Sequence, residues 1–327
     1  LAPTSTSLPK LVNVRFCLFD PIGNSGQLAN LGRDLVLEAR KWNLIVDLRI
    51  YMDERVAAED FKAGQCEGVA ISTLRARQFN RAIGSIDAPG NLRDYNEVRT
   101  LIRALAHPAF EPMSIIGRYQ VVGIVPVGAL YVMTNDRAIN SIEKAAGKLI
   151  AVLDWDPSQA KMISALGAHP VPSDITNYGA KFNNRQADII AAPAMAYLPL
   201  ELYKGIGNSG GIFRFPLLNA TGTLLIRRDL LLPKIPDLDA RLGQLRTYGL
   251  NFIDRFIEFI RSSEKDIPEK LWIELSPKDK VKYWRMLREA RIRMTQEGIY
   301  DSSMMTLLKK VRGRHDPANE EGSAFDE

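Results

Sequence analysis

The chain has 327 residues, more than one ordinary hydrophobic core holds, and this length predicts two domains. Apolar residues make up 46% and charged residues 25%, the proportions of a folded globular protein rather than a disordered one. The net charge is +5, and residues 270–314 alone carry +7, with twelve Lys or Arg against five Asp or Glu. Nucleic acids and membrane surfaces attract such segments, but no nucleic-acid motif or aromatic-rich strand accompanies this one. We therefore interpret it as a solvated helix face and expect no nucleic-acid partner.

Missing motifs exclude further classes of protein. No run of 18 apolar residues occurs, so we expect no insertion into a membrane. Residue 1 is Leu rather than Met, so we expect a processed or trimmed form, in which a missing signal peptide does not argue against export. The two Cys and three His lack the spacing of metal ligands, and we predict no metal, no cofactor and no Cys–His nucleophile.

The first third of the chain alternates between strand and helix patterns. β-Branched and alternating residues mark the strands, and Leu at helical spacing marks the first helix. The predicted elements are strand 11–19, helix 27–42, strand 44–52, helix 54–64, strand 67–73 and helix 92–105. This order predicts a parallel sheet with right-handed crossovers.

A second β/α series lies between two long extended stretches, 119–134 and 211–230. Its predicted elements are strand 148–154, helix 157–167, strand 169–173, helix 176–186 and strand 187–193. From Asp237 onward the pattern is almost entirely helical.

These patterns predict an α/β protein of two lobes with a hinged cleft at the carboxyl ends of the strands. The predicted domains are a first α/β lobe 11–122, a second lobe 123–220 inserted between two hinge-crossing strands, a return strand with C-terminal helices packing on both lobes 221–312, and a disordered tail 313–327. Residues 1–10 are predicted to be a flexible leader.

The stretch FDPIGNSG, residues 19–26, joins the first strand to the first helix. It lacks the Gly-Lys-Ser/Thr ending of a Walker loop and the third Gly of a dinucleotide loop, so nucleotide binding is not predicted. Two interpretations remain. In the first, Asp20, Asn24 and Ser25 reach into the cleft and contact a ligand. In the second, Asn24 or Ser25 simply caps the following helix.

The third strand also ends in polar side chains. Ser72 and Thr73 are candidate ligand donors, and Arg75 or Arg77 is a candidate positive charge in the cleft. The alternative is that Ser72 or Thr73 caps a turn while the Arg side chains are solvated.

In the second lobe, LDWDPS follows the first strand. Trp155 is predicted to form a stacking wall of the pocket, and Asp156, which precedes Pro157, to be a helix cap or a ligand acceptor. If Asp20 also faces the cleft, two acids and a Trp suit a cationic or amine-bearing ligand, whereas Arg75 argues against one. An amphoteric ligand, or one with several hydroxyls, would satisfy both. Three further candidates for the cleft wall are Tyr131, Pro193 and Asn219.

Three stretches resemble the extracytoplasmic solute receptors of TRAP transporters. They are ERVAAEDFKAGQCEGVAIST (54–73), SIEKAAGKLIAVLDWDPSQAKMISALGAHPVP (141–172) and YGAKFNNRQADIIAAP (178–193). The resemblance spans roughly residues 11–300 and rests on the order and spacing of elements. Within this superfamily the chain looks most like a branch known only as solute-binding proteins.

The resemblance implies a two-lobed, type II-like periplasmic-binding-protein clamshell with a helical C-terminal region. It implies a periplasmic receptor that captures a small polar organic ligand between the lobes for a TRAP-type or related transporter subunit. Such a receptor acts as a monomer and without catalysis.

Two positions depart from the family pattern. The family's Arg, which pairs with a substrate carboxylate, corresponds to Ala151, and the family's Asn after its Asp-Gly strand falls at Ala192 and Pro193. The carboxylate clamp is missing from its usual place, so the family's organic-acid ligands do not carry over to this chain.

Cys17 and Cys66 flank strands that are predicted to be neighbours. A disulfide suits the oxidising periplasm, whereas adjacent parallel strands seldom present bridging geometry, and the pairing stays open.

Two other functions also stay open. The missing Arg and the basic helical segment favour a ligand-sensing or interaction protein without a transport role. An enzyme on the same scaffold is disfavoured by the scarcity of His and Cys.

Overall fold

A computed structural model describes residues 10–316; residues 1–9 and 317–327, which hold most of the predicted leader and tail, lie outside the described residues. The strands are β1 Val12–Phe19, β2 Leu44–Tyr51, β3 Gly68–Ser72, β4 Ile115–Ile116, β5 Tyr119–Thr134, β6 Leu149–Leu153, β7 His169–Ser173, β8 Ile189–Pro193, β9 Gly211–Arg227 and β10 Trp272–Ile273. The helices are α1 Gln27–Ala39, α2 Glu54–Lys62, α3 Thr73–Ala76, α4 Arg81–Gly84, α5 Tyr95–Leu105, α6 Glu111–Ser114, α7 Pro157–Ala165, α8 Tyr178–Asn183, α9 Tyr203–Ile206, α10 Arg228–Leu231, α11 Leu238–Leu250, α12 Ile253–Lys265, α13 Pro277–Gln296 and α14 Ser302–His315. The α/β prediction is thereby confirmed.

The described residues fall into two compact units. Unit 1 consists of the described residues up to Gly84, together with Ile102–Val125 and Gly222–Ile253. Unit 2 consists of Ser85–Leu101, Pro126–Thr221 and the described residues from Asp254 onward. The long strand β5 therefore begins in unit 1 and ends in unit 2, and β9 does the reverse.

This division differs from the predicted domains in its treatment of residues 85–101, which belong to unit 2 rather than to the first lobe. Buried Arg side chains of the C-terminal helices hold this segment. The Arg291 guanidinium donates to the carbonyls of Pro89 at 3.0 Å and Gly90 at 3.1 Å. Arg312 donates to the carbonyl of Asn91 at 2.9 Å. These contacts join residues that are 201 to 221 positions apart, so local sequence patterns do not reveal them.

The sheet of unit 1 follows the predicted β-α-β-α-β order. β1 is parallel to β2 along its whole length and parallel to β3 through residues 16–18. The final residues of β9 are antiparallel to β3, from Gly222 opposite Ser72 to Ile226 opposite Gly68. Helix α1 ends at Ala39, earlier than predicted, because residues 40–42 tighten into a 3-10 turn and Asn43 adopts a left-handed conformation with φ of 57°.

The sheet of unit 2 is built from the second β/α series. β6 is parallel to β7 and β8, and β8 is antiparallel to the last residues of β5. Its main apolar cluster includes Met133, Phe182, Ile190 and Leu202, and Ala151 and Tyr131 pack against that cluster. The short strand β10, which pairs in parallel with β9, was missed in the helical C-terminal pattern.

The C-terminal part of the chain is helical as predicted. Helix α14 continues to His315, so residues 313–315 of the predicted tail are helical. Within residues 10–316, no helix combines the length and the apolar content needed to cross a membrane.

Cys17 and Cys66 are joined by a disulfide, with their Cα atoms 5.9 Å apart, and both residues are fully buried. Cys17 lies opposite Val69 in the sheet, and Cys66 stands in the turn that precedes β3. The bridge therefore connects a strand to a turn. The unfavourable bridging geometry of two cysteines on adjacent parallel strands therefore does not apply to this pair.

We expect the disulfide to close a loop of 49 residues and to stabilise unit 1. Loop closure of this length is worth about 4 kcal/mol of unfolding free energy. The Cys17→Ala/Cys66→Ala variant should lose that amount in urea denaturation. In denatured protein, alkylation should add no mass before reduction and two adducts after it. Two adducts without reduction would contradict the bridge.

Candidate functional site

Asp20 holds the loop that follows β1. It is buried, 2% exposed, and its Oδ1 accepts a hydrogen bond from the backbone N–H of Ile22 at 2.9 Å. Its Oδ2 accepts from the N–H of Ala29 in the first turn of α1, also at 2.9 Å. A Cβ at Gly26 would lie within 2.2 Å of both carboxylate oxygens, so the loop requires glycine there. One oxygen of Asp20 thus fixes the loop and the other fixes the start of α1.

The cap interpretation of this loop named the wrong residues. The N-cap position of α1 is Gly26, which has no side chain, and the side chain of Asp20 supplies the missing acceptor from six residues earlier. Asn24 and Ser25 lie in a 3-10 turn with exposed side chains. The loop therefore leaves Asn24 and Ser25, rather than Asp20, exposed to a ligand.

The carboxyl end of β3 is organised by Glu54, a buried residue at the start of α2. The Glu54 carboxylate accepts hydrogen bonds from the Ser72 backbone N–H at 3.1 Å and the Ser72 hydroxyl at 2.9 Å. Arg75 Nε lies 3.4 Å from the same carboxylate. Burial raises the pKa of Glu54, while the bonds from Ser72 and the charge of Arg75 act in the opposite direction. The Arg75 charge is therefore paired within unit 1 and is not a solvated side chain.

Ser72 and Thr73 have structural partners as well. The Ser72 hydroxyl accepts from the backbone N–H of Arg75 at 3.2 Å, which confirms the predicted cap of the following turn. Thr73 is fully buried, and its hydroxyl lies 2.8 Å from that of Thr223 on β9. Thr73 therefore offers no exposed group to a ligand.

In unit 2, Asp156 is the cap of α7. Its Oδ1 accepts from the backbone N–H of Ser158 at 3.2 Å and from the Ser158 hydroxyl at 2.6 Å, and Pro157 takes the first helical position. The cap prediction is confirmed, and the carboxylate is buried. Trp155 stands in the turn just before it and is partly exposed.

Tyr131 and Pro193 lie on neighbouring strands of unit 2. Tyr131 is opposite Ala192, and Pro193, the last residue of β8, is opposite Leu130. The Tyr131 hydroxyl donates to Oε1 of Glu264 at 2.9 Å. The register places Tyr131 beside Ala192, one of the two positions that depart from the family pattern.

Asn219 is a buried residue of β9 rather than an exposed cleft residue. Its backbone N–H donates to Oδ1 of Asn91 at 2.8 Å, and its carbonyl accepts from Nδ2 of Asn91 at 2.8 Å. Its own Nδ2 donates to the carbonyl of Leu92, also at 2.8 Å. These bonds fix the loop before α5 against β9.

Asp87 lies in the same loop, within hydrogen-bond distance of Thr221 on β9. Its carboxylate accepts from the backbone N–H of Thr221 at 2.9 Å and from the Thr221 hydroxyl at 2.7 Å. Burial raises the pKa of Asp87 to about 7, because these two bonds only partly offset the loss of hydration.

Three carboxylates with specific partners were not predicted from the sequence: Glu54, Asp87 and Glu264. Glu54 lies three residues after strand β2 and is the first residue of α2, where an acid is a usable signal for a polar contact. Asp87 and Glu264 occur in a loop and a helix without any distinctive local pattern. Within residues 10–316, no three His, Cys, Asp or Glu side chains are grouped so that they could hold a metal ion.

The two α/β units and the two long strands that run through both define the fold class. The crystal structure of a TRAP periplasmic solute-binding protein from Ralstonia eutropha H16, with bound (S)-2-acetolactate, matches with a TM-score of 0.76 at 14% identity, over 92% of this chain and 99% of that one. A TRAP solute-binding protein from Desulfovibrio salexigens with bound orotic acid matches with a TM-score of 0.75 at 13% identity, over the same shares. The chain has the fold of TRAP periplasmic solute-binding proteins.

The sequence itself assigns the family. The model of the solute-binding protein AdeT 1/2 family matches residues 30–327, and the chain belongs to that family. The probable solute-binding protein AdeT1 of Acinetobacter baumannii is 42% identical over 311 residues, which cover 95% of this chain and all of that protein. The prediction of a solute-binding protein is confirmed.

The raised pKa of Asp87 predicts a pH dependence of stability. Its ordinary pKa is 3.8, so between about pH 4 and pH 7 the native state holds a proton that the unfolded chain has released. The stabilisation of the native state by protonated Asp87 is complete below about pH 4 and is lost as the pH rises toward about 7. The unfolding free energy of wild type should therefore fall relative to that of Asp87→Asn, by at most about 1.4 kcal/mol per pH unit.

Urea denaturation at a series of pH values measures this difference. Asp34→Asn, which changes an exposed carboxylate on α1, is the matched control and should run parallel to wild type. Parallel curves for wild type and Asp87→Asn would refute the assignment.

Proposed function

We propose that this protein is a periplasmic receptor that binds one small polar organic ligand, as a monomer, and delivers it to a membrane transporter without catalysing a reaction. Membership of a solute-binding family supports the receptor role. The buried Cys17–Cys66 disulfide supports an oxidising compartment such as the periplasm. Enrichment of the tagged chain in the periplasmic fraction of the native host tests the location.

The observation that carries the ligand class is Ala151 on β6. In the resemblance to TRAP receptors, this position holds the Arg that pairs with a substrate carboxylate. Here the side chain is a methyl group that packs against the apolar cluster of unit 2. The ligand is therefore recognised by something other than a carboxylate held at residue 151.

Arg75, the sequence-based candidate to replace that Arg, is paired with Glu54 and does not supply a free positive charge. The proposed ligand contacts in unit 2 are Trp155 and Tyr131, which are both partly exposed. These groups offer hydrogen bonds and aromatic surface rather than a fixed cation.

Introducing the missing charge provides a direct test. We expect wild type to show no measurable affinity for succinate in calorimetry and Ala151→Arg to acquire it, because an Arg–carboxylate pair adds a charge-assisted contact. Ala151→Leu controls for side-chain size. Strong succinate binding by wild type would show that a carboxylate is recognised elsewhere in the chain.

A second test concerns Trp155, which is partly exposed in the turn before α7. Native mass spectrometry of protein purified without denaturation is expected to show a bound small molecule. Trp155→Ala should lose that molecule while its melting temperature stays close to that of wild type, because a partly exposed ring contributes little to the core. Trp284→Ala is the matched control for removing an indole. Retention of the ligand by Trp155→Ala would remove this residue from the site.

A further inference from the structure

In unit 2, two tyrosine hydroxyls bind one carboxylate, and a tryptophan ring packs on one of the two tyrosines. These residues are Tyr95 on α5, Tyr131 on β5, Glu264 on α12 and Trp272 on β10, and we call them the Glu264 cluster. The hydroxyls of Tyr95 and Tyr131 both donate to Oε1 of Glu264. The rings of Tyr131 and Trp272 meet edge to face, with their centroids 4.9 Å apart. Tyr95, Tyr131 and Glu264 are partly exposed, so a solute has access to the cluster.

The backbone of β5 is shaped to hold this cluster. Gly128 has a φ of +125°, and a Cβ there would lie 3.0 Å from Cγ2 of Ile260 on α12. Glycine thus lets the strand come close to α12. The next residue, Ala129, directs its N–H toward the Tyr95 hydroxyl at 3.5 Å. Tyr131 follows two residues later on the same face of the strand.

Both phenols act as proton donors to the carboxylate. Burial raises the pKa of Tyr95 and of Tyr131, and the negative charge of Glu264 acts in the same direction for both. They are therefore protonated at neutral pH, and each hydroxyl proton is available to Glu264.

Glu264 nevertheless keeps an unused binding capacity. Both phenols bind the same oxygen, Oε1, and within residues 10–316 no group donates a hydrogen bond to Oε2 or forms an ion pair with Glu264. A partly buried carboxylate without a counter-charge is costly.

The nearby arginines do not neutralise Glu264. The Arg214 guanidinium lies 4.5 Å from the ring centroid of Trp272, and it is paired with Glu269 and Glu274. The exposed Arg261 lies 5.8 Å from the ring centroid of Tyr95. Both contacts show that these aromatic faces accept a positive charge.

We propose that the Glu264 cluster binds the positively charged nitrogen of the ligand, which makes the ligand an organic cation such as an alkylammonium compound. This inference rests on the proposed receptor function and names the ligand class. The carboxylate supplies the charge, and the partly exposed ring of Tyr131, held in place by the buried Trp272, supplies a surface for the nitrogen substituents. Ala151 fits the same assignment. It packs against the apolar cluster that also contacts Tyr131. An Arg at this position would repel a positively charged ligand.

The test is a panel of primary and quaternary ammonium compounds, each paired with a neutral compound and a carboxylate of similar shape. Choline and 3,3-dimethyl-1-butanol form one such pair. Thermal shift and calorimetry on the full chain should show binding of cations but not of their neutral or anionic partners. Any co-purified ligand should be a cation by mass spectrometry.

Glu264→Gln should weaken cation binding by about tenfold or more, because it removes the charge. The Gln carbonyl still accepts from both tyrosines, so the melting temperature of the free protein should change little. Glu264→Asp keeps the charge and should retain the preference for cations. Glu258→Gln, which changes an exposed acid on the same helix, is the matched control.

The possible outcomes separate the two proposals. If the panel members that bind are carboxylates or neutral compounds, the receptor function stands and the cation site is overturned. The same holds if Glu264→Gln binds cations as wild type does. If no compound of any charge class binds and no ligand co-purifies, both proposals fail.

Discussion

Buried carboxylates that bind backbone N–H groups are the constraint on which the loops of both units depend. The end of a strand leaves amides without partners where the chain turns into a helix, and such amides must find acceptors when they are buried. Asp20 does this for α1, Glu54 for the turn after β3, and Asp156 for α7. Each of these acids stands at a sheet edge where a polar site is expected, yet its oxygens serve the fold.

How far the sequence predicts these roles depends on the distance between the partners. Asp156 binds an amide two residues away, and the Asp-Pro pair reveals the cap. Asp20 reaches an amide nine residues away, and Glu54 one that is eighteen residues away. The order of strands and helices was predictable because hydrophobic periodicity is local. The membership of residues 85–101, the strand β10 and the Glu264 cluster arise from contacts between distant segments, which no local pattern encodes.

The surroundings of each buried acid decide its proton affinity. Glu67 is as well shielded as Asp87, but it is bound by Arg15 and Lys234, and these charges outweigh the effect of burial and lower the pKa of Glu67. Within residues 10–316, Asp87 accepts its hydrogen bonds from Thr221, a neutral residue, so the effect of burial prevails and raises the pKa of Asp87. Burial raises the pKa of one acid, whereas cationic partners lower the pKa of the other. The two acids therefore change the unfolding free energy in opposite directions as the pH rises.

The same comparison separates structural acids from a candidate binding acid. Asp20 accepts from two backbone amides, and Asp156 accepts from the amide and the hydroxyl of Ser158, so both carboxylates hold loops at the starts of helices. Among the described residues 10–316, Glu264 instead accepts from two side-chain hydroxyls, both at Oε1. The sequence predicts an amine-bearing ligand from Asp20, Asp156 and Trp155, but both of these acids bind backbone amides at the starts of helices. The proposed cation site rests instead on Glu264, whose partners are the side-chain hydroxyls of two partly exposed tyrosines.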